Sequence, residues 1–200
     1  MDAFIRIKEN RYLRIALFIV LLLTQIANIV YWGSKKENLY WDEYFTLERA
    51  HYISDSTPAE HYIDVDEEYR IGEWLPVSLV YDSLTVDKEE SVLVDSPKSV
   101  LGKMFGYHNY SIFLNVLEAV LSPRKLSIWP SIILNIIFFI INQILLYCLC
   151  RRISDNAVLP YAAVAWYGFT SMCVSMAVFI RFYMFATMLT TLFTFMHLVY

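Results

Sequence analysis

From Val158 to Tyr200 the chain runs for 43 residues with one charged side chain, Arg181. A helix needs about 20 apolar residues to cross a hydrocarbon core of about 30 Å. The stretch is therefore too long for one crossing and right for two. Spans are expected near Val158–Met176 and Phe182–Tyr200, with the break near Met176–Arg181, where no Gly or Pro marks the turn. Two more apolar runs precede it, Ile15–Trp32 and Ile128–Cys150, the second closed by Arg151-Arg152. Composition agrees: 58% of the 200 residues are hydrophobic, 18% are charged, and the mean hydropathy is +0.44. A soluble domain of this size cannot hide that much apolar surface. The pattern excludes a cytosolic enzyme, a nucleic-acid-binding module and a disulfide-stapled secreted domain. It predicts an all-α polytopic membrane protein with about four transmembrane helices, lying in the bilayer of the plasma membrane.

The basic flanks set an expected orientation. Residues 1–14 carry four Lys/Arg and two acids, and the short loop 151–157 carries two Arg and one acid. Both belong in the cytoplasm by the positive-inside rule. Run 15–32 leaves through Asn28-Ile29-Val30-Tyr31-Trp32. It lacks the small residues of a cleavage site, so it reads as an uncleaved anchor. Tyr12 and Tyr31-Trp32 flank it as interfacial aromatics. The segment between the first two spans, 33–125, is then extracytoplasmic. It holds nine Lys/Arg against 17 Asp/Glu.

A loop of that length is expected to have structure of its own. Near its start comes Tyr40-Trp41-Asp42-Glu43-Tyr44-Phe45-Thr46-Leu47, two adjacent carboxylates among aromatics. The stripe Tyr40, Tyr44, Leu47, His51 has helical spacing and predicts a short helix along the membrane surface. A carboxylate at such an interface has the tunable pKa that a general base requires. The competing reading is a helix start, where acids interact favourably with the helix dipole. The middle of the loop is acidic and Tyr-rich, with strand-like runs at Val77–Tyr81 and Val92–Val94, so the loop is expected to be α/β. His51, His61 and Asp64 are a conceivable metal set, with solvated surface as the alternative. A second amphipathic helix is expected to follow Tyr107-His108-Asn109-Tyr110. Its stripe is Tyr110, Phe113, Leu114, Leu117, Val120 and Leu121.

Cys148, Cys150 and Cys173 fall inside apolar runs and read as small core residues rather than disulfide or metal ligands. Arg181 stands at the outer membrane face in this topology. Its partner is expected to be an anion, either a loop carboxylate such as Asp42 or a ligand phosphate gripped by the planar guanidinium fork. The alternative is an arginine snorkelling to lipid headgroups.

The ordered set resembles the N-terminal part of the GT-C glycosyltransferases, and more narrowly the bacterial relatives of protein O-mannosyltransferases and aminoarabinose transferases. Those proteins open with one span followed by an Asp-Glu motif on a juxtamembrane helix, matched here by Asp42-Glu43. Their His-Pro-Pro-Leu-Tyr-Tyr stretch corresponds to His108-Asn109-Tyr110-Ser111-Ile112-Phe113, which lacks the prolines. Their leucine-rich helix ending in paired arginines corresponds to Leu145–Arg152. Their Arg-x-Tyr-x-Leu opening of a later span corresponds to Arg181-Phe182-Tyr183-Met184-Phe185, without the Glu that often precedes it. Tyr81–Val86 resembles a loop segment of some Gram-positive members.

The resemblance implies sugar transfer, usually with inversion, from a polyprenyl-phosphate donor to a glycan, lipid or protein acceptor in the cell envelope. Asp42 would be the general base and Glu43 would orient the acceptor or hold the motif. Arg181, Tyr183 and His108 would bind substrate and phosphate. No cofactor is implied, a divalent cation stays open, and no nucleic-acid partner is expected. Members of the family have more spans, so the chain is expected to be an N-terminal portion, inactive by itself. The alternative is a small non-catalytic four-span protein that binds a partner through its acidic outer loop.

Overall fold

The computed structural model describes residues 11–40, 42–43, 46–47, 50, 109–121 and 127–199. Of these, 85% are helical and none lies in a strand, so the all-α expectation holds for the described part. The strand-like runs Val77–Tyr81 and Val92–Val94, on which an α/β loop rested, lie outside the described residues. Six helices are described end to end: α1 (Arg11–Ser34), α2 (Asn109–Leu121), α3 (Trp129–Ile153), α4 (Leu159–Phe169), α5 (Ser171–Val178) and α6 (Tyr183–Val199). The chain divides into two compact units, one made of residues 1–38 and 132–200 and the other of residues 39–131.

Among the described residues, α1 and α3 are each long and apolar enough to cross a membrane. The stretch expected as the third span is bent: α4 and α5 meet at 58° and make one crossing if the pair is counted together. Local chemistry causes the break. Thr170 is extended, with φ −67° and ψ 142°, and its Oγ1 accepts the backbone N–H of Cys173 at 3.3 Å. The same hydroxyl donates to the Tyr167 carbonyl at 2.8 Å. One threonine thus caps both the end of α4 and the start of α5. The signal was present as Gly168-Phe169-Thr170-Ser171, a glycine followed by N-cap residues. The last helix, α6, has 17 residues, about 25 Å at 1.5 Å per residue.

In the first unit α5 packs against α1, α4 and α6, and α1 packs against α4. Polar side chains fix the register. The Gln143 carboxamide on α3 donates to Gln25 Oε1 on α1 at 2.9 Å, and Gln25 Nε2 donates to the Val164 carbonyl on α4 at 2.9 Å. Gln143 Nε2 also reaches that carbonyl, at 3.3 Å. Both glutamines are fully buried. Gly168 makes room for them: a Cβ there would fall on both carboxamides. In an apolar medium a polar side chain has few alternatives to another helix, so these contacts tie α1, α3 and α4 together.

The second unit contributes α2 and the helical residues 42, 43, 46, 47 and 50. On α2 the buried side chains are Tyr110, Ser111, Ile112 and Leu114, while Phe113, Val120 and Leu121 are exposed. Of the expected apolar stripe, Tyr110 and Leu114 are buried and Leu117 is half-buried.

Candidate functional site

The two carboxylates of the Asp-Glu pair do different things. Glu43 is fully buried, and its Oε2 accepts the backbone N–H of Tyr40 at 2.9 Å. Its own N–H donates to the Tyr40 carbonyl, also at 2.9 Å. This is the side-chain half of a capping box, in which a glutamate one turn into a helix reaches back to an orphan donor. Asp42 is exposed, and its carbonyl accepts the Thr46 hydroxyl at 3.0 Å. Thr46, Leu47 and Ala50 are buried one and two turns on and anchor the segment. The helix-start reading thus describes Glu43, while Asp42 is an exposed residue. Trp41, Tyr44, Phe45 and His51 lie outside the described residues.

Arg181 sits in the turn between α5 and α6. Its backbone N–H donates to the Phe179 carbonyl at 2.8 Å, and its guanidinium lies 5.8 Å from the centroid of the Phe182 ring. The turn is aromatic: Phe179 and Tyr183 stack with centroids 5.9 Å apart and planes 12° apart, and Phe182 lies 5.0 Å from Tyr183. Arg181 and Tyr183 are thereby brought together. A second cation joins them, since Lys36, just past the end of α1, has its Nζ 5.8 Å from the Phe179 centroid. Reading by sequence missed Lys36, because 145 positions of numbering separate it from Arg181. Only the side-by-side placement of α1 and α5 makes them neighbours.

Asn135 was also missed in this role. It is fully buried on α3, and its Nδ2 donates to the carbonyls of Ala177 at 3.1 Å and Phe179 at 2.9 Å. These carbonyls lie at the end of α5; Phe179 also accepts the Arg181 N–H, so Asn135 adds a second donor there and meets Ala177 beyond the last intrahelical bond. Asn135 thus positions the turn that carries Arg181. It also explains how the chain turns here without Gly or Pro.

Asp42 and Glu43 belong to one compact unit, and Arg181 and Tyr183 to the other. His108 lies outside the described residues, as do His51, His61 and Asp64. Among the described residues, no group of three or more His, Cys, Asp or Glu side chains is placed to hold a metal ion. All three cysteines are free thiols, with Cys148 exposed, Cys150 half-buried and Cys173 buried. No protein-family model, no curated protein and no solved structure matches the chain.

Proposed function

We propose that this chain is the N-terminal portion of a GT-C type glycosyltransferase that moves a sugar from a polyprenyl-phosphate donor to an acceptor outside the cytoplasm. In this reading the chain lies in the plasma membrane and crosses it four times, α4 and α5 forming one broken crossing. The N-terminus is cytoplasmic and residues 33–125 are extracytoplasmic. Asp42 accepts the proton of the acceptor hydroxyl as its oxygen attacks the anomeric carbon. The bond from that carbon to the phosphate oxygen breaks, and the polyprenyl phosphate departs with the electron pair. Arg181 and Tyr183, with His108, hold the phosphate as negative charge builds on it. Glu43 fixes the motif.

The observation that carries this reading is the division within the Asp-Glu pair. Glu43 is committed to the Tyr40 N–H, which pins the start of the segment that carries the exposed residue Asp42. A general base needs that kind of support, because a proton acceptor works only when held within hydrogen-bond reach of the proton. Arg181 adds support, standing in an aromatic turn between apolar helices where an arginine is otherwise costly.

The test is sugar transfer by membranes carrying the full-length reading frame. Asp42→Asn is expected to reduce transfer from a polyprenyl-phosphate sugar by about a hundredfold or more, the range of a lost general base. Glu43→Gln is expected to lower it less, in step with lost order at the helix start. Transfer that survives Asp42→Asn unchanged removes Asp42 as the base. Absence of transfer by the unaltered protein with every such donor removes the transferase reading itself.

A further inference from the structure

One end of the first unit gathers positive charge from two helices. Arg11 and Arg14 lie three residues apart on α1, and Arg151 and Arg152 stand in the last turn of α3. The two helices run antiparallel. Gln25 meets Gln143, and farther toward this end the rings of Phe18 and Tyr147 meet edge-on with centroids 5.1 Å apart. One more turn along each helix reaches Arg14 and Arg151. Each is four residues from the contacting aromatic and therefore on the same face as it.

Tyr161 of α4 joins this corner. Its hydroxyl donates to the Arg14 carbonyl at 3.2 Å and lies 3.3 Å from the Tyr147 hydroxyl. Arg14 Nε is buried and makes no hydrogen bond among the described residues. Arg11, Arg151 and Arg152 are exposed, and Asp155 is the carboxylate that follows them in the connection to α4. Beside the arginines, Leu13, Ile15 and Ile19 of α1 are 42–47% exposed, leaving apolar surface next to the charge.

We propose that this corner binds the phosphate of an anionic membrane lipid. Arg14 and Arg151 grip it from two helices, and the tyrosine hydroxyl pair forms the polar floor. Guanidinium groups match phosphate oxygens through paired N–H donors, and basic pockets between membrane helices are where such headgroups settle. The adjoining exposed Leu13, Ile15 and Ile19 give the acyl chains an apolar wall, which selects a lipid over free phosphate. The inference does not rest on glycosyl transfer. Arg14 lies about 30 Å along α1 from the Lys36 and Arg181 turn, at the other end of the unit.

The test uses the purified full chain in neutral detergent, offered equal amounts of phosphatidylglycerol and phosphatidylcholine with the same acyl chains. Native mass spectrometry counts the lipids retained. Phosphatidylglycerol is expected to be preferred, by about fivefold for each arginine engaged. Arg14→Gln/Arg151→Gln is expected to bring the ratio to parity. Arg151→Gln alone, which alters an exposed side chain and is accepted only with unchanged helical circular dichroism, is expected to lose about half of the logarithm of that preference. Lys35→Gln/Lys36→Gln at the opposite end is expected to leave it intact. Equal retention of the two lipids by the unaltered protein overturns the proposal. So does a preference unchanged in both arginine variants, or displacement of the lipid by millimolar inorganic phosphate.

Discussion

The apolar stretch from Leu159 to Val199 is interrupted twice, and the two interruptions are held by different physics. At Thr170 the chain closes its own break: one hydroxyl bonds back to Tyr167 and forward to Cys173, all within seven residues. At Phe179–Phe182 the Arg181 N–H closes on the Phe179 carbonyl, and a distant side chain is added to that local bond. The carbonyls of Ala177 and Phe179 are met by Asn135, more than 40 residues away on α3. The first break is a property of sequence, and the second is a property of packing. A turn that depends on a neighbouring helix is also one that a neighbouring helix can place, which suits a turn carrying Arg181 and Tyr183.

This contrast can be broken in several ways. The largest effect is expected from Gly168→Ala, just before the first break. The new methyl would fall on the Gln25 and Gln143 carboxamides. These can swing away only by giving up their mutual bond and their bonds to Val164. Hydrogen bonds of this kind average about 0.6 kcal/mol and reach about 1.7 kcal/mol in membrane proteins. Three of them set the loss at about 2 kcal/mol, readable in denaturation from mixed micelles. On a Gln25→Leu/Gln143→Leu background the same substitution is expected to cost less. An equal penalty there would mean the clash lies elsewhere.

Asn135→Leu comes next, at about 1–2 kcal/mol for removing the side-chain donor from the Ala177 carbonyl and one of two donors from the Phe179 carbonyl. It separates the two breaks, because it is expected to loosen the Arg181 turn while leaving the buried thiol of Cys173 as slow to alkylate as before. Thr170→Val is expected to do the reverse. Loss of the cap costs about 1 kcal/mol and speeds alkylation of Cys173, whose N–H the threonine holds. If Asn135→Leu exposes Cys173 as strongly as Thr170→Val does, the breaks form one cooperative element and the distinction fails. Lys36→Gln should have the smallest effect, under about 1 kcal/mol for a cation near an aromatic face. A loss as large as that of Asn135→Leu would promote Lys36 from neighbour to organiser of the turn.

How far the site could be read from sequence follows the same division. The Asp-Glu pair stood out by composition alone, since two carboxylates among aromatics beside an apolar helix are conspicuous. Which of them is committed to the backbone did not. The competing readings, base or helix start, applied to the pair as a whole, and it took the Glu43–Tyr40 bond to assign the capping role to Glu43. Arg181 stood out as the one charge in 43 residues. Lys36 and Asn135 did not, because a lysine at a helix end and an asparagine in an apolar helix have no local signature of the partner they meet. The expected span over Val158–Met176 bends at Thr170, which the expectation did not foresee although the cap residues were in plain view. Hydropathy averages over such a window and is blind to a single hydroxyl.

The sequence by itself determined that these helices are apolar and roughly where they begin and end. Exposing about 20 apolar residues to water is prohibitive, and in the bilayer the backbone polar groups of such a run are satisfied by forming a helix. Tertiary structure decided which faces meet and which polar groups pair. Among helices so uniformly apolar, hydrophobicity no longer tells inside from outside. Register then passes to a few short-range contacts, such as Gln25 with Gln143 over Gly168 and Asn135 on the α5 carbonyls, whose partners lie far apart in the chain.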